Sequence, residues 1–158
     1  MKFNQIIKNI IIILIATVSL TACSTAKKSS VTSGDVYTGT DTVEYLAKGV
    51  ADRVFFATNK ASLTTASRDT LRKQATYLRK NKSLKVVLEG HADERGTREY
   101  NLALGEKRAN AARDYLMTYG ISGKRISVIS YGKERPVNSA STSLAWSQNR
   151  RSVTVKVK

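Results

Sequence analysis

The residues with the most chemistry in the least space lie between Gly90 and Leu116, in GHADERGTREYNLALGEKRANAARDYL. His91, Asp93, Glu94 and Arg95 fall within a turn bounded by Gly90 and Gly96, and Asn101, Leu104 and Arg108 follow at steps of three and four. Such steps place side chains on one side of an α-helix, leaning back toward its start. That start is the DERG turn. Asp93 at the mouth of the turn and Arg108 in the helix therefore converge on one small zwitterion, the carboxylate taking an ammonium and the guanidinium forking onto a carboxylate. This is the chemistry of binding rather than of bond breaking.

Other chemistries fit the same residues less well. His91, Asp93 and Glu94 are of metal-ligating type, but the chain holds one His and its one Cys lies far upstream, so a hydrogen-bonded turn is the better reading. A Ser-His-Asp triad lacks a Gly-x-Ser-x-Gly elbow, and His91 and Asp93 sit side by side in one turn. Asp93 and Glu94 are adjacent and point apart, whereas glycosidase carboxyls face one sugar. Arg108 has a plainer role as a surface arginine paired with Glu106 or Asp114. Its neighbours Leu104, Ala111 and Ala112 argue for a partly buried face instead, where a guanidinium needs an anion or a carbonyl.

These residues need a scaffold, and the hydrophobic patterning supplies one. Arg53–Ala57 is β-branched and aromatic and reads as a strand, followed by the polar turn Thr58–Ser62. Thr64 or Thr65 caps a helix to about Lys80, with Leu71, Ala75 and Leu78 on one face. Leu84, Val86 and Leu88 alternate in a second strand that delivers His91 and Asp93 to its C-terminal edge. A second helix runs from about Tyr100 to Tyr119, ended by Gly120. Arg125–Tyr131 is a third strand; a loop with the only proline, Pro136, leads to a short helix near Leu144–Gln148. Ser152–Val157 is a last strand, its valines inward and a polar face outward. Glu44–Val50 stays open between a helical turn and an edge strand. The order predicts an α+β fold, a two-layer α/β arrangement: a mixed β-sheet with helices on one face, a βαβαβ core plus a final strand.

Composition allows one domain plus an appendage in 158 residues, 41% of them hydrophobic. The formal charge of +15, from 27 Lys and Arg against 12 Asp and Glu, invites an anionic partner. Lys107, Arg108, Arg113, Lys124, Arg125, Arg150 and Arg151 form a basic set, but no zinc finger, helix-turn-helix or RNP-like strand accompanies it, so nucleic acid is not expected. The lone Cys23 excludes an intramolecular disulfide and a Cys-based zinc cluster. Upstream lie Lys2, Lys8, the apolar run Ile10–Val18 and then Leu20-Thr21-Ala22-Cys23, the layout of a cleaved signal whose Cys becomes lipidated. The expected organisation is a signal peptide over 1–22, a lipidated Cys23 and flexible Ser/Thr/Gly-rich tether over 23–43, and a domain over 44–158. No cofactor is expected beyond diacylglycerol and an N-acyl chain on Cys23, and no metal.

Gly90-His91-Ala92-Asp93-Glu94-Arg95-Gly96-Thr97, Glu99-Tyr100-Asn101, Leu104-Gly105 with Arg108-Ala109, Ser130-Tyr131-Gly132-Lys133-Glu134 with Pro136, and Gln148-Asn149-Arg150-Arg151, behind the lipobox at Cys23, closely resemble the peptidoglycan-associated lipoproteins of the OmpA-like domain superfamily. The resemblance implies a non-enzymatic outer-membrane lipoprotein on the periplasmic face. It implies binding of peptidoglycan through the diaminopimelate of the stem peptide. Asp93 would receive the diaminopimelate ammonium and Arg108 its carboxylate, with Arg95, Leu104, Thr58 and Asn59 as pocket wall and Asn101 beside them. It also implies a TolB-like periplasmic propeller as partner, within a Tol-Pal system supporting envelope integrity and cell division. Relatives usually carry Phe-Asp-Phe-Asp or Phe-Asn-Phe-Asn where this chain reads Phe56-Ala57-Thr58-Asn59, and often a proline where it has Arg98.

Overall fold

The structure is a computed structural model that describes residues 35–157. The signal peptide expected over 1–22, the lipidation site at Cys23 and the tether up to residue 34 lie outside the described residues, as does Lys158.

Among the described residues, three α-helices and six strands follow in chain order: β1 (Tyr45–Ala47), β2 (Val50–Ala51), β3 (Arg53–Phe55), α1 (Thr65–Lys80), β4 (Val86–His91), α2 (Arg98–Thr118), β5 (Ile126–Gly132), α3 (Ser143–Asn149) and β6 (Arg151–Lys156). The open stretch around Glu44–Val50 is resolved as the small antiparallel pair β1 and β2. The main sheet runs β3-β6-β4-β5, antiparallel except for the parallel β4–β5 pair joined through α2. The fold is therefore α+β, as the pattern predicts.

Helix starts are set by local chemistry. Thr64 caps α1, its hydroxyl accepting from the Ser67 amide at 3.1 Å, and Thr97 caps α2 by accepting from the Tyr100 amide at 3.2 Å. Leu71, Ala75 and Leu78 of α1 and Ala109, Ala112 and Leu116 of α2 bury against Val54, Phe56, Val86, Leu88 and Ile126. This one core carries both helices on the same face of the sheet.

Where α2 crosses β4, two glycines set the spacing. A Cβ on Gly90 would stand 1.8 Å from the Gly105 carbonyl oxygen, and one on Gly105 would stand 2.4 Å from Ser130 Oγ. Helix and strand backbones thus touch one turn before Arg108, which fixes how far that side chain reaches.

The last strand corrects one expectation. Ser152, Val153 and Thr154 are all buried, whereas Val155, Lys156 and Val157 are exposed, so the strand lacks the predicted alternation of inward valines with a polar outer face. The reason lies in α1. Gln74 is fully buried there; its amide donates to the Ala51 carbonyl at 2.8 Å and its oxygen accepts from the Thr154 hydroxyl at 2.7 Å. A satisfied polar pair between helix and sheet removes the desolvation cost that would send Thr154 outward.

The packed chain also begins earlier than the domain start expected at residue 44. Tyr37 is buried and meets Phe55 edge-on, ring centroids 4.7 Å apart, and the Asp41 carboxylate accepts from Gln148 at 2.9 Å. The end of the tether is a strap on the domain.

Candidate binding site

The site forms where the C-terminal end of β4, the start of α2, the turn after β3 and the end of α3 meet. Asp93 is 6% exposed. Its Oδ1 accepts from Arg95 Nε at 3.1 Å and from the Arg95 amide at 3.2 Å; its Oδ2 accepts from Arg95 Nη2 at 2.8 Å and from Arg150 Nη1 at 3.2 Å. Burial alone raises the Asp93 carboxyl, but the bonds from Arg95 and Arg150 outweigh it and hold the group below the ordinary carboxylate value. Asp93 is thus a fixed anion at neutral pH. Arg95, in turn, is raised chiefly by its bond to Asp93.

The sequence-derived stripe is present and buried: Asn101, Leu104 and Arg108 are 2%, 8% and 0% exposed. Each does something different. The Asn101 amide donates to the Arg95 carbonyl at 2.8 Å and so holds the turn that carries Arg95 and Asp93. Leu104 is buried on the same face of α2. Arg108 Nε donates to the Lys60 carbonyl at 2.9 Å, Nη1 to the His91 carbonyl at 2.8 Å and Nη2 to the Ala57 carbonyl at 3.1 Å. The carbonyl partner that a buried guanidinium requires is therefore supplied three times over. Burial, with Arg150 nearby, lowers Arg108 to about 10, which leaves it charged at neutral pH. Asp93 and Arg108 lie in one cluster but not as open jaws: each is engaged by other groups.

Thr58 and Asn59, on the turn that Arg108 holds, reach the same place. With Arg95, Gly96 and Tyr100 they line a cleft of about 290 Å³. Arg95 Nη2 bridges the cleft mouth to Thr58 Oγ1 at 3.5 Å. Asn59 has φ of +53°, a left-handed conformation that asparagine tolerates better than most residues.

Four participants escaped the sequence reading. Arg150, 1% exposed, binds Asp93 and donates from Nε to the Phe56 carbonyl at 3.1 Å. Its signal is the Arg150-Arg151 pair following a short helix, which the sequence places in the basic set and in the family motif but gives no role in the site. Tyr100 and Trp146 flank Arg95, whose guanidinium lies 4.3 Å over the indole, while Trp146 Nε1 donates to Glu94 Oε1 at 2.8 Å. Asp35 reaches the site from the strap, and nothing in its Ser/Thr/Gly-rich surroundings marks it.

His91 plays another part. It is 2% exposed, its ring 5.6 Å from that of Tyr131, and burial with Arg151, Arg53 and Arg135 nearby lowers it to about 3. It is a neutral residue of the sheet. Among the described residues no group of three or more His, Cys, Asp or Glu is arranged to hold a metal ion, and no helix is long and apolar enough to cross a membrane.

Comparison with known proteins places this geometry. The profile of the OmpA family matches residues 55–150, a span that includes Thr58, Asp93, Arg108 and Arg150. The peptidoglycan-associated lipoprotein of Rhizobium meliloti is 42% identical over 160 residues, covering 98% of this chain and 91% of the relative. That of Mesorhizobium japonicum is 53% identical over 105 residues, but the match spans 66% of this chain and only 62% of the relative. Among solved structures, the peptidoglycan-associated lipoprotein from Burkholderia pseudomallei superposes with a TM-score of 0.65 at 37% identity, covering 67% of this chain and 90% of that one. The C-terminal domain of Helicobacter pylori MotB, with a TM-score of 0.63, 18% identity and coverage of 68% and 84%, shares the fold.

Proposed function

Because the chain belongs to the OmpA family and, within it, to the peptidoglycan-associated lipoproteins, we propose that it holds peptidoglycan non-covalently through the diaminopimelate of the stem peptide. The observation that carries this reading is Asp93, a carboxylate held ionised at neutral pH and buried beside a cleft of about 290 Å³ walled by Thr58, Asn59 and Arg95. Asp93 receives the ligand ammonium. The partner carboxylate meets Arg95 at the mouth and, once the Thr58–Asn59 turn gives way, the two N–H groups of Arg108 beyond those spent on Ala57, Lys60 and His91. Asn101 holds the turn that carries Arg95, and Leu104 lies on the same buried helix face. The site is suited to binding.

In the same reading, Cys23 carries diacylglycerol and an N-acyl chain in the inner leaflet of the outer membrane, and the domain faces the periplasm. Lipid and wall, joined through the residues between Cys23 and the domain, act together through effective concentration. A TolB-like propeller is the protein partner, within a Tol-Pal system that serves envelope integrity and division. Family membership supports these assignments.

The test is co-sedimentation with isolated sacculi. Asp93→Asn removes the charge while keeping the shape, and it should weaken wall binding by about 2 to 5 kcal/mol, because the ligand ammonium is left without its partner. Undiminished sedimentation of this variant would sink the site. Muropeptide cleavage detected by mass analysis would overturn the reading of the domain as a binder alone.

A further inference from the structure

We propose that Asp35, on the strap, is an internal competitor for the binding site, so that wall binding and release of the strap are coupled. The inference rests on the wall-binding role given above.

Asp35 is the first described residue, 58 positions before Asp93 in the chain, yet it closes the polar network around that residue. Its Oδ1 lies 2.9 Å from Arg150 Nη2, its carbonyl oxygen accepts from the same nitrogen, and its Oδ2 accepts from the Thr58 hydroxyl. The Thr58 hydroxyl also takes the bond from Arg95 at the cleft mouth, and Arg150 also binds Asp93. A continuous chain thus runs Asp93, Arg150, Asp35, Thr58, Arg95 and back to Asp93. The backbone bend that presents both acceptors of Asp35 to one guanidinium has φ of +58°, the second of two non-glycine left-handed residues among those described. The other, Asn59, lines the cleft. Left-handed residues held by surrounding contacts gather where geometry serves a site.

A plain surface ion pair is the simpler account of Asp35, and the exposures argue against it. Arg150 is 1% exposed in its side chain, whereas that of Asp35 is 46% exposed. The cation is buried and fixed; the anion is the removable partner. What Asp35 occupies is a corner made by a buried guanidinium and a hydroxyl, beside a second guanidinium, and that corner accepts a carboxylate from any source. Diaminopimelate carries a carboxylate next to its ammonium; with the ammonium on Asp93 and the carboxylate at Arg95, the ligand meets Thr58 Oγ1, which Arg95 and Asp35 share, and so competes with Asp35 for this corner. Coupling of this kind is reciprocal. Wall binding frees the strap end, and anything that frees the strap end raises affinity for the wall. Tyr37, buried two residues on, keeps the displaced carboxylate close and its return fast.

The experiment uses the full mature lipoprotein in detergent, as wild type and as Asp35→Asn, titrated with a diaminopimelate-containing muropeptide. Because the competing pair is half-exposed, the expected gain for Asp35→Asn is about three- to tenfold in affinity, as for a corner filled roughly two-thirds to nine-tenths of the time. Hydrogen exchange at residues 36–40 should rise in Asp35→Asn without ligand, and in the wild type on saturation with muropeptide. Equal or weaker binding by Asp35→Asn than by wild type overturns the competitor role alone. Unchanged exchange in the saturated wild type does the same. Binding by neither protein overturns the wall-binding role and the competitor role with it.

Discussion

Replacing Arg108 by alanine separates two jobs that this one side chain performs. Its fully buried guanidinium bonds the carbonyls of Lys60, His91 and Ala57, tying the turn after β3 and the end of β4 to α2. The bond to His91 is buried, so losing its charged donor costs about 2 kcal/mol; the other two carbonyls lie nearer solvent, where water takes over, and cost about 1 kcal/mol each. The aliphatic stem adds about 2 kcal/mol of lost burial at roughly 0.8 kcal/mol per methylene. Against this stands relief of the desolvation that lowers the group to about 10, equivalent to about 3 kcal/mol. The balance is a protein about 3 kcal/mol less stable. Urea unfolding followed through the single tryptophan, Trp146, measures it, with an unchanged m-value as the check on cooperativity. Arg108→Lys, which keeps charge and stem but not the fork, should lose about 1 to 2 kcal/mol. A loss below about 1 kcal/mol in Arg108→Ala would refute the view of Arg108 as a clamp. The result also matters for wall binding, since a drop in this variant then reflects a loosened turn as well as a missing ligand contact.

Two further outcomes follow from buried groups. Gly90→Ala drives a methyl into the Gly105 carbonyl, forcing α2 off β4; a loss of about 3 kcal/mol or more in thermal unfolding is expected, and a variant melting with the wild type would contradict the contact. His91 binds its proton at about 3 when folded and near 6.5 when unfolded, so the unfolded state takes up protons first as pH falls. Stability is full above 6.5 and declines below it, by about 2 kcal/mol at pH 5, against the neighbouring charges of Glu89, Arg53, Arg135 and Arg151. His91→Asn should flatten this slope between pH 8 and 5, and an unaltered slope would assign it to other groups.

The family and most elements were legible in the sequence because each rests on local spacing. The steps of three and four in Asn101, Leu104 and Arg108 placed them on one buried face; a threonine cap with an apolar period bounded α1, and helix-forming composition ended by Gly120 bounded α2, each to within about two residues. The DERG turn put Asp93 and Arg95 side by side, and they do pair. The orientation of β6 was not legible, because its inward Thr154 depends on Gln74, 80 positions away, and alternation alone favours the valines.

Residue types and spacing, then, determined by themselves that Asp93, Arg95 and Arg108 would gather at one end of a mixed sheet. Only the tertiary structure decided what each of them touches. Charge pairs and carbonyl contacts over separations of 48, 57 and 115 residues bring Lys60 to Arg108, Arg150 to Asp93 and Asp35 to Arg150. No local pattern encodes such contacts, since they depend on where the sheet order β3-β6-β4-β5 lays distant strand ends next to each other. A buried charge accepts whichever partner the fold delivers there.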